Sequence, residues 1–265
     1  GFGAFAALGG SPQTFTKGDV SKPIWLQNAF LVYVPFLVVL GIACWVGLRS
    51  VPVRVTFRDQ LDIFKNKHTW FCTLTYVMTF GSFSGLAAAF PLLIRTVYGS
   101  FPGAPDPLAW AFYGPLIGSA SRVVFGFVAD RTGGAILTHV SGVALIVLTA
   151  ALAFSGVLTP DSLDSFPLFV GIMLGLFFFT GVGNAATFRQ YPLIFAHSPR
   201  QGAGVLGWTG AVAAYGPFLV STLIGLSIDV SGSPRGLFLG AIAFYALATA
   251  VNWWFYARKG AEVPC

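Results

Sequence analysis

Charge is what this sequence has least of. Only 9% of its 265 residues are Asp, Glu, Lys or Arg, while 55% are hydrophobic and mean hydropathy is +0.77. A soluble domain carries about 25% charged residues, so too few charges remain here to cover a water-facing surface. Cysteine is nearly absent: Cys44, Cys72 and Cys265 make no disulfide framework, and thiols in apolar stretches read as small packing residues. Histidine is as rare. His68, His139 and His197 all fall near the ends of apolar blocks, which argues against the inward-facing histidine pair that haem needs. No Asp or Glu lies well inside any apolar block, so an obvious proton carrier is missing too.

What is present is length without charge. Apolar blocks run near 27–48, 69–94, 107–128, 135–158, 166–188, 203–228 and 236–257. Each matches the roughly 20 residues that a helix needs to cross a bilayer. They are too long for barrel strands and lack two-residue alternation. The expected fold is an all-α integral membrane bundle of about seven transmembrane helices, embedded in lipid.

The net charge of +6 invites a nucleic-acid reading, but its distribution points to topology. Arg49, Arg54, Arg58, Lys65, Lys67, Arg131, Arg189, Arg200, Arg258 and Lys259 fall on one side of the blocks. Lys17, Lys22, Arg95 and Arg235 fall on the other, with Asp19, Asp106, Asp161, Asp164 and Asp229. The basic side is the cytoplasmic one by the positive-inside rule, which places 49–68 and the C-terminal end in the cytoplasm and 159–165 outside. No basic tract with interleaved aromatics suggests nucleic acid.

The layout divides at a charged linker. Residues 1–8 read as the tail of a helix already under way, followed by a polar stretch at 9–23 and a lone span. The expected domains are 1–48 as the end of an N-terminal half, 49–68 as a basic cytoplasmic linker, and 69–265 as a six-helix bundle. That arrangement is expected at the middle of a transporter built from two six-helix halves, with a self-contained seven-helix protein as the alternative.

Several motifs carry chemistry. Between two blocks stands Gly126-Phe-Val-Ala-Asp130-Arg131-Thr-Gly133-Gly134. Asp130 can cap or pair, Arg131 can meet helix C-terminal carbonyls, and the glycines permit a tight reversal; its spacing resembles the cytoplasmic loop signature of the major facilitator superfamily. Arg122 is the only arginine well inside a block. An intramembrane cation costs at least about 2.5–3.5 kcal/mol on insertion scales and usually faces a protein-lined cavity. Its planar donor fork matches a planar oxyanion; snorkelling to the interface is the structural alternative. Tyr76 and Phe80 share a helix face at i, i+4 near the expected depth of Arg122, where rings could wall in a flat anion and the hydroxyl could donate to it.

Together with the stretches 80–85, 113–118 and 181–188, the last reading Gly181-Val-Gly183-Asn184-Ala-Ala-Thr-Phe188, these residues resemble the nitrate/nitrite porter family of that superfamily. The resemblance runs from about residue 25 to 258. It implies helices 6–12 of a twelve-helix fold in the cell's inner (plasma) membrane, carrying nitrate or nitrite and using no cofactor, no metal and no enzymatic step. It implies Arg122 as the helix 8 arginine of an anion clamp whose second arginine lies on helix 2, in the missing N-terminal six-helix half. By the same resemblance Tyr76, Phe80, Phe188 and Gly207 are substrate-binding, and Asp130, Arg131, Gly183 and Asn184 belong to gating motifs. Gly210 stands where the family often has Ser, which leaves one hydroxyl contact unaccounted for. Arg189 is a rival second cation, expected instead at the cytoplasmic end. Exchange of nitrate for nitrite is favoured by the lack of a buried acid; proton-coupled symport and, from a different class, a membrane redox subunit are the alternatives.

Overall fold

The computed structural model describes residues 13–17, 20–24, 33–49, 56 and 60–265, and the chain divides into two units, Gly1–Val55 and Thr56–Cys265. The expected tail of an earlier helix at 1–8, the start of the lone span and most of the linker lie outside the described residues.

In the first unit, β1 (Gln13–Lys17) and β2 (Val20–Ile24) pair antiparallel, Lys17 opposite Val20 and Gln13 opposite Ile24. The polar stretch expected at 9–23 therefore contains a short hairpin, which no periodicity had suggested. Helix α1 (Tyr33–Gly47) has 15 residues and none of them is buried.

The second unit is six long helices: α2 (Lys67–Tyr98), α3 (Pro107–Thr132), α4 (Gly134–Phe154), α5 (Leu163–Ile194), α6 (Pro199–Ser231) and α7 (Arg235–Ala257). All are long and apolar enough to cross a membrane. The starts are set by capping residues. Asn66 accepts from the His68 N–H at 2.9 Å, and Asp106 accepts from the Leu108 N–H at 3.0 Å with Pro107 at the first helical position. Both devices satisfy donors that a helix start leaves open. Only Gly133 separates α3 from α4, at φ +90°, a backbone conformation that glycine adopts without a Cβ penalty.

Helix α3 packs on α5, α5 on α4, α4 on α7, and α6 runs along α2. The hand-fit between α3 and α5 is backbone on backbone: a Cβ at Gly181 would stand 2.1 Å from the Gly118 carbonyl oxygen. Ser121 donates across the same crossing to the Phe178 carbonyl at 3.0 Å. Lipid tails are as apolar as Leu, so such close van der Waals approach, not water exclusion, holds membrane helices together.

Irregular turns interrupt α2 and α6 along their length. Helix α2 widens into a π-turn at Val77–Gly81, just where Thr75 and Thr79 turn their hydroxyls back onto main-chain carbonyls at 3.1–3.3 Å. Hydroxyls that compete for helix carbonyls bend helices, and single π-turns often mark functional positions. Helix α6 is broken at Ala214–Tyr215, ahead of Gly216-Pro217.

Candidate functional site

Arg122, Tyr76 and Asn184 reach the same depth from three different helices. Arg122 stands ten residues before the end of α3, Tyr76 nine after the start of α2, and Asn184 ten before the end of α5. At 1.5 Å per residue each lies roughly 14–15 Å from that end, near the middle of a bilayer core about 30 Å thick. The span boundaries expected from hydropathy had put Arg122 only about six residues from the helix end; α3 runs four residues further, to Thr132, because its last turn is the Asp130-Arg131 motif itself. This end of the bundle, the basic end, also holds Lys67, Arg189, Arg200 and Arg258.

The rings form one connected wall. Tyr76 and Phe80 stack at 5.5 Å with an interplanar angle of 25°, and Phe188 meets Tyr76 edge-on at 5.8 Å. The Arg122 guanidinium carbon lies 5.1 Å from the centre of the Phe188 ring, within the range of a cation–π contact. Tyr76 is buried, Phe80 is half-buried, and Phe188 and Arg122 are exposed on the open side of the bundle. Among the described residues no carboxylate pairs with Arg122. The geometry thus joins four of the five residues expected to bind substrate. Gly207 stands apart: a Cβ there would meet nothing within 4 Å, and none of the contacts that link the other four reaches it.

The residues expected in gating motifs separate into two places. Asp130 and Arg131 lie exposed at the basic end, where Asp130 accepts Arg189 Nε at 3.2 Å. Arg189 is therefore tied to the Asp130 turn and is not a second cation beside Arg122. Gly183 is buried between α2 and α4; a Cβ on it would lie 2.6 Å from the Thr79 methyl and 3.1 Å from Ser141 Cβ. Asn184, one residue on, is 2% exposed, and neither of its amide atoms has a hydrogen-bond partner. The Tyr76 hydroxyl lies within hydrogen-bonding reach of the Asn184 side chain and within electrostatic reach of Arg122, yet no bond of ordinary geometry closes on that amide. Leaving a buried polar group unmet costs about 1–3 kcal/mol.

Sequence reasoning missed a second polar cluster. Near the basic end Gln190 donates to Asn252 Oδ1 at 3.0 Å, Asn252 donates to the Ala135 carbonyl at 2.9 Å, and Thr138 donates to Gln190 Oε1 at 3.1 Å. All three side chains are fully buried, and together they join α4, α5 and α7. The signal was available: Asn252 is an uncharged amide inside an apolar block, and Gln190 stands two residues past the end of another. Around this cluster, ion pairs close the surface. Arg200 and Gln201 hold the Asp62 carboxyl below its ordinary pKa, Lys67 does the same for Glu262, and burial pushes the Cys265 thiol up to about 12. A cleft of about 700 Å³ between α2, α6 and α7 is lined almost wholly by apolar groups and includes none of Arg122, Tyr76, Phe80 or Phe188.

Six long apolar helices around a mid-depth cation define a multi-pass membrane protein. No protein-family model matches the chain, but individual relatives do. It is 56% identical over its whole length to the "Probable nitrate/nitrite antiporter NarK2" of Thermus thermophilus, covering 59% of that protein. It is 31% identical to the "Nitrate/nitrite transporter NarU" of Escherichia coli K12, over 97% of this chain and 57% of that one. The protein of the same name from Salmonella typhimurium LT2 is 31% identical over 88% of this chain and 54% of its own length. The chain is thus similar to proteins named as nitrate/nitrite antiporters and transporters, and spans less than two thirds of the length of the relatives it matches.

Proposed function

We propose that this chain forms the substrate-binding face of a nitrate/nitrite carrier, working by alternating access and exchanging one anion for the other. The observation that carries the reading is Arg122: a cation at mid-depth, lying on the Phe188 ring, with no carboxylate partner among the described residues. A guanidinium fork presents two parallel N–H donors to two oxygens of a planar anion. The Tyr76 hydroxyl adds a third donor, and Phe80 and Phe188 exclude water on either side, which strengthens each contact. The relatives' names agree with this cargo. Gly207 would bring backbone rather than side chain to the anion once the opposite half closes over it. No chemistry is performed on the anion, so the protein acts as a carrier and not as an enzyme.

In this reading 1–48 closes an N-terminal half, 49–68 links the halves, and the relatives' remaining length supplies the second arginine. The basic end faces the cytoplasm in the cell's inner membrane. Asp130 and Arg189 hold that end shut and part when it opens. Exchange is preferred to proton symport because no Asp or Glu stands beside Arg122 among the described residues.

The test is reconstitution of the complete transporter in liposomes. We expect uptake of labelled nitrate that depends on nitrite inside the vesicles and ignores an imposed pH gradient. Uptake driven by the pH gradient into nitrite-free vesicles would replace exchange with symport. No uptake of either anion under both conditions would end the transport reading.

A further inference from the structure

Resting on the anion-carrier reading, we infer that Asn184 is a ligand of the anion and sets the preference for nitrate over nitrite. The bundle satisfies its other deeply buried amides: Gln190 and Asn252 hold each other, and both reach further partners. Asn184 is as deeply buried, at 2% exposure, yet both its amide atoms lack a partner. It sits one helical turn before Phe188, whose ring carries Arg122, and within electrostatic reach of Tyr76. Asn184 and Arg122 thus share two neighbours, Tyr76 and Phe188, at the same depth.

The amide nitrogen carries two N–H donors. With the anion bound, one would turn to the Tyr76 hydroxyl oxygen, leaving that O–H free for the anion, and the other would donate to the anion directly. Nitrate is a planar ion with three oxygens; nitrite is bent, with two oxygens and a nitrogen lone pair. The Arg122 fork takes two oxygens of either ion. A donor arriving from α5 finds a third oxygen only in nitrate and the weaker nitrogen acceptor in nitrite. Removing that donor should weaken nitrate more than nitrite.

The experiment uses the complete transporter with Asn184→Ala and, as a variant that keeps a short donor, Asn184→Ser. Nitrate and nitrite affinities are measured by titration on the same preparations as the melting temperature. We expect Asn184→Ala to lose about tenfold in nitrate affinity and less than threefold for nitrite. Its melting temperature should match or exceed the parent's, and Asn184→Ser should fall between the two. Parent-like affinity for both anions, or an equal loss for both, overturns the inference while leaving the carrier reading intact. So does a lowered melting temperature with unchanged affinities, which would make the amide a packing group. A parent protein that binds neither anion overturns the carrier reading itself, and the inference falls with it.

Discussion

Two polar clusters lie within one bundle, separated by less than two helical turns, and they treat hydrogen bonds in opposite ways. Near the basic end, Thr138, Gln190, Asn252 and the Ala135 carbonyl find all their partners inside the protein. Nearly two turns deeper, Asn184 finds none and Arg122 rests on a ring rather than a carboxylate. Helix α5 supplies a member of each, Gln190 and Asn184, so composition does not separate them; partnership does. In a bilayer no water is available to cover an unmet polar group, so a closed network serves the fold and an open one implies a guest.

That contrast can be broken by experiment, and the largest effect should come from the open cluster. Arg122→Lys keeps the charge but removes the planar fork, and we expect a 10- to 100-fold loss of anion affinity, about 1.5–3 kcal/mol, with an unchanged melting temperature. Arg122→Ala should lose more. Anion titration and thermal denaturation on the same samples decide it: parent-like binding in Arg122→Lys would show that the arginine is not the ligand.

The closed cluster should give the reverse pattern. Asn252→Leu orphans Gln190 Nε2 and the Ala135 carbonyl, which should destabilise the bundle by about 1–3 kcal/mol and leave anion affinity within twofold. A variant with normal melting and weakened binding would mean that the two clusters are one site.

The smallest effect belongs to the ion pairs at the basic end. Asp62 has a carboxyl pKa lowered chiefly by Arg200 and then by Gln201. A lowered folded-state pKa stabilises at pH values above the ordinary carboxylate range near 4, and the gain is lost as pH falls through the folded value. The difference in melting temperature between parent and Asp62→Asn should therefore be small, constant from pH 8 to 5, and vanish only below about pH 4. A difference that disappears between pH 7 and 5 would assign it to another group.

How much of this was legible beforehand depended on whether a residue's meaning is local. Apolar length announced the six long helices, and the i, i+4 spacing of Tyr76 and Phe80 put their rings on one face. Arg122 was conspicuous because nothing near it in sequence explains a charge. The ambiguity over Arg189 could not be resolved locally, since its partner Asp130 is 59 residues away and sits on another helix. Asn184 read as part of a glycine-rich motif; that its amide is unmet follows only from the packing around it. The break in α6 was hidden for a different reason. Gly216-Pro217 lies inside a continuous apolar run, and hydropathy does not register a lost backbone hydrogen bond.

The Gly118–Gly181 crossing has a mechanical meaning as well as a packing one. A rod pinned near its middle moves least beside the pin. Gly118 lies near the midpoint of α3, and Arg122 is four residues from it, roughly 6 Å along the axis. If α3 rocks against α5 by about 10°, its ends, roughly 15–20 Å away, swing by about 3 Å while Arg122 travels only about 1 Å. The cation sits close to the fulcrum, so the bundle's two mouths can trade places while the distance from Arg122 to Asn184 hardly changes.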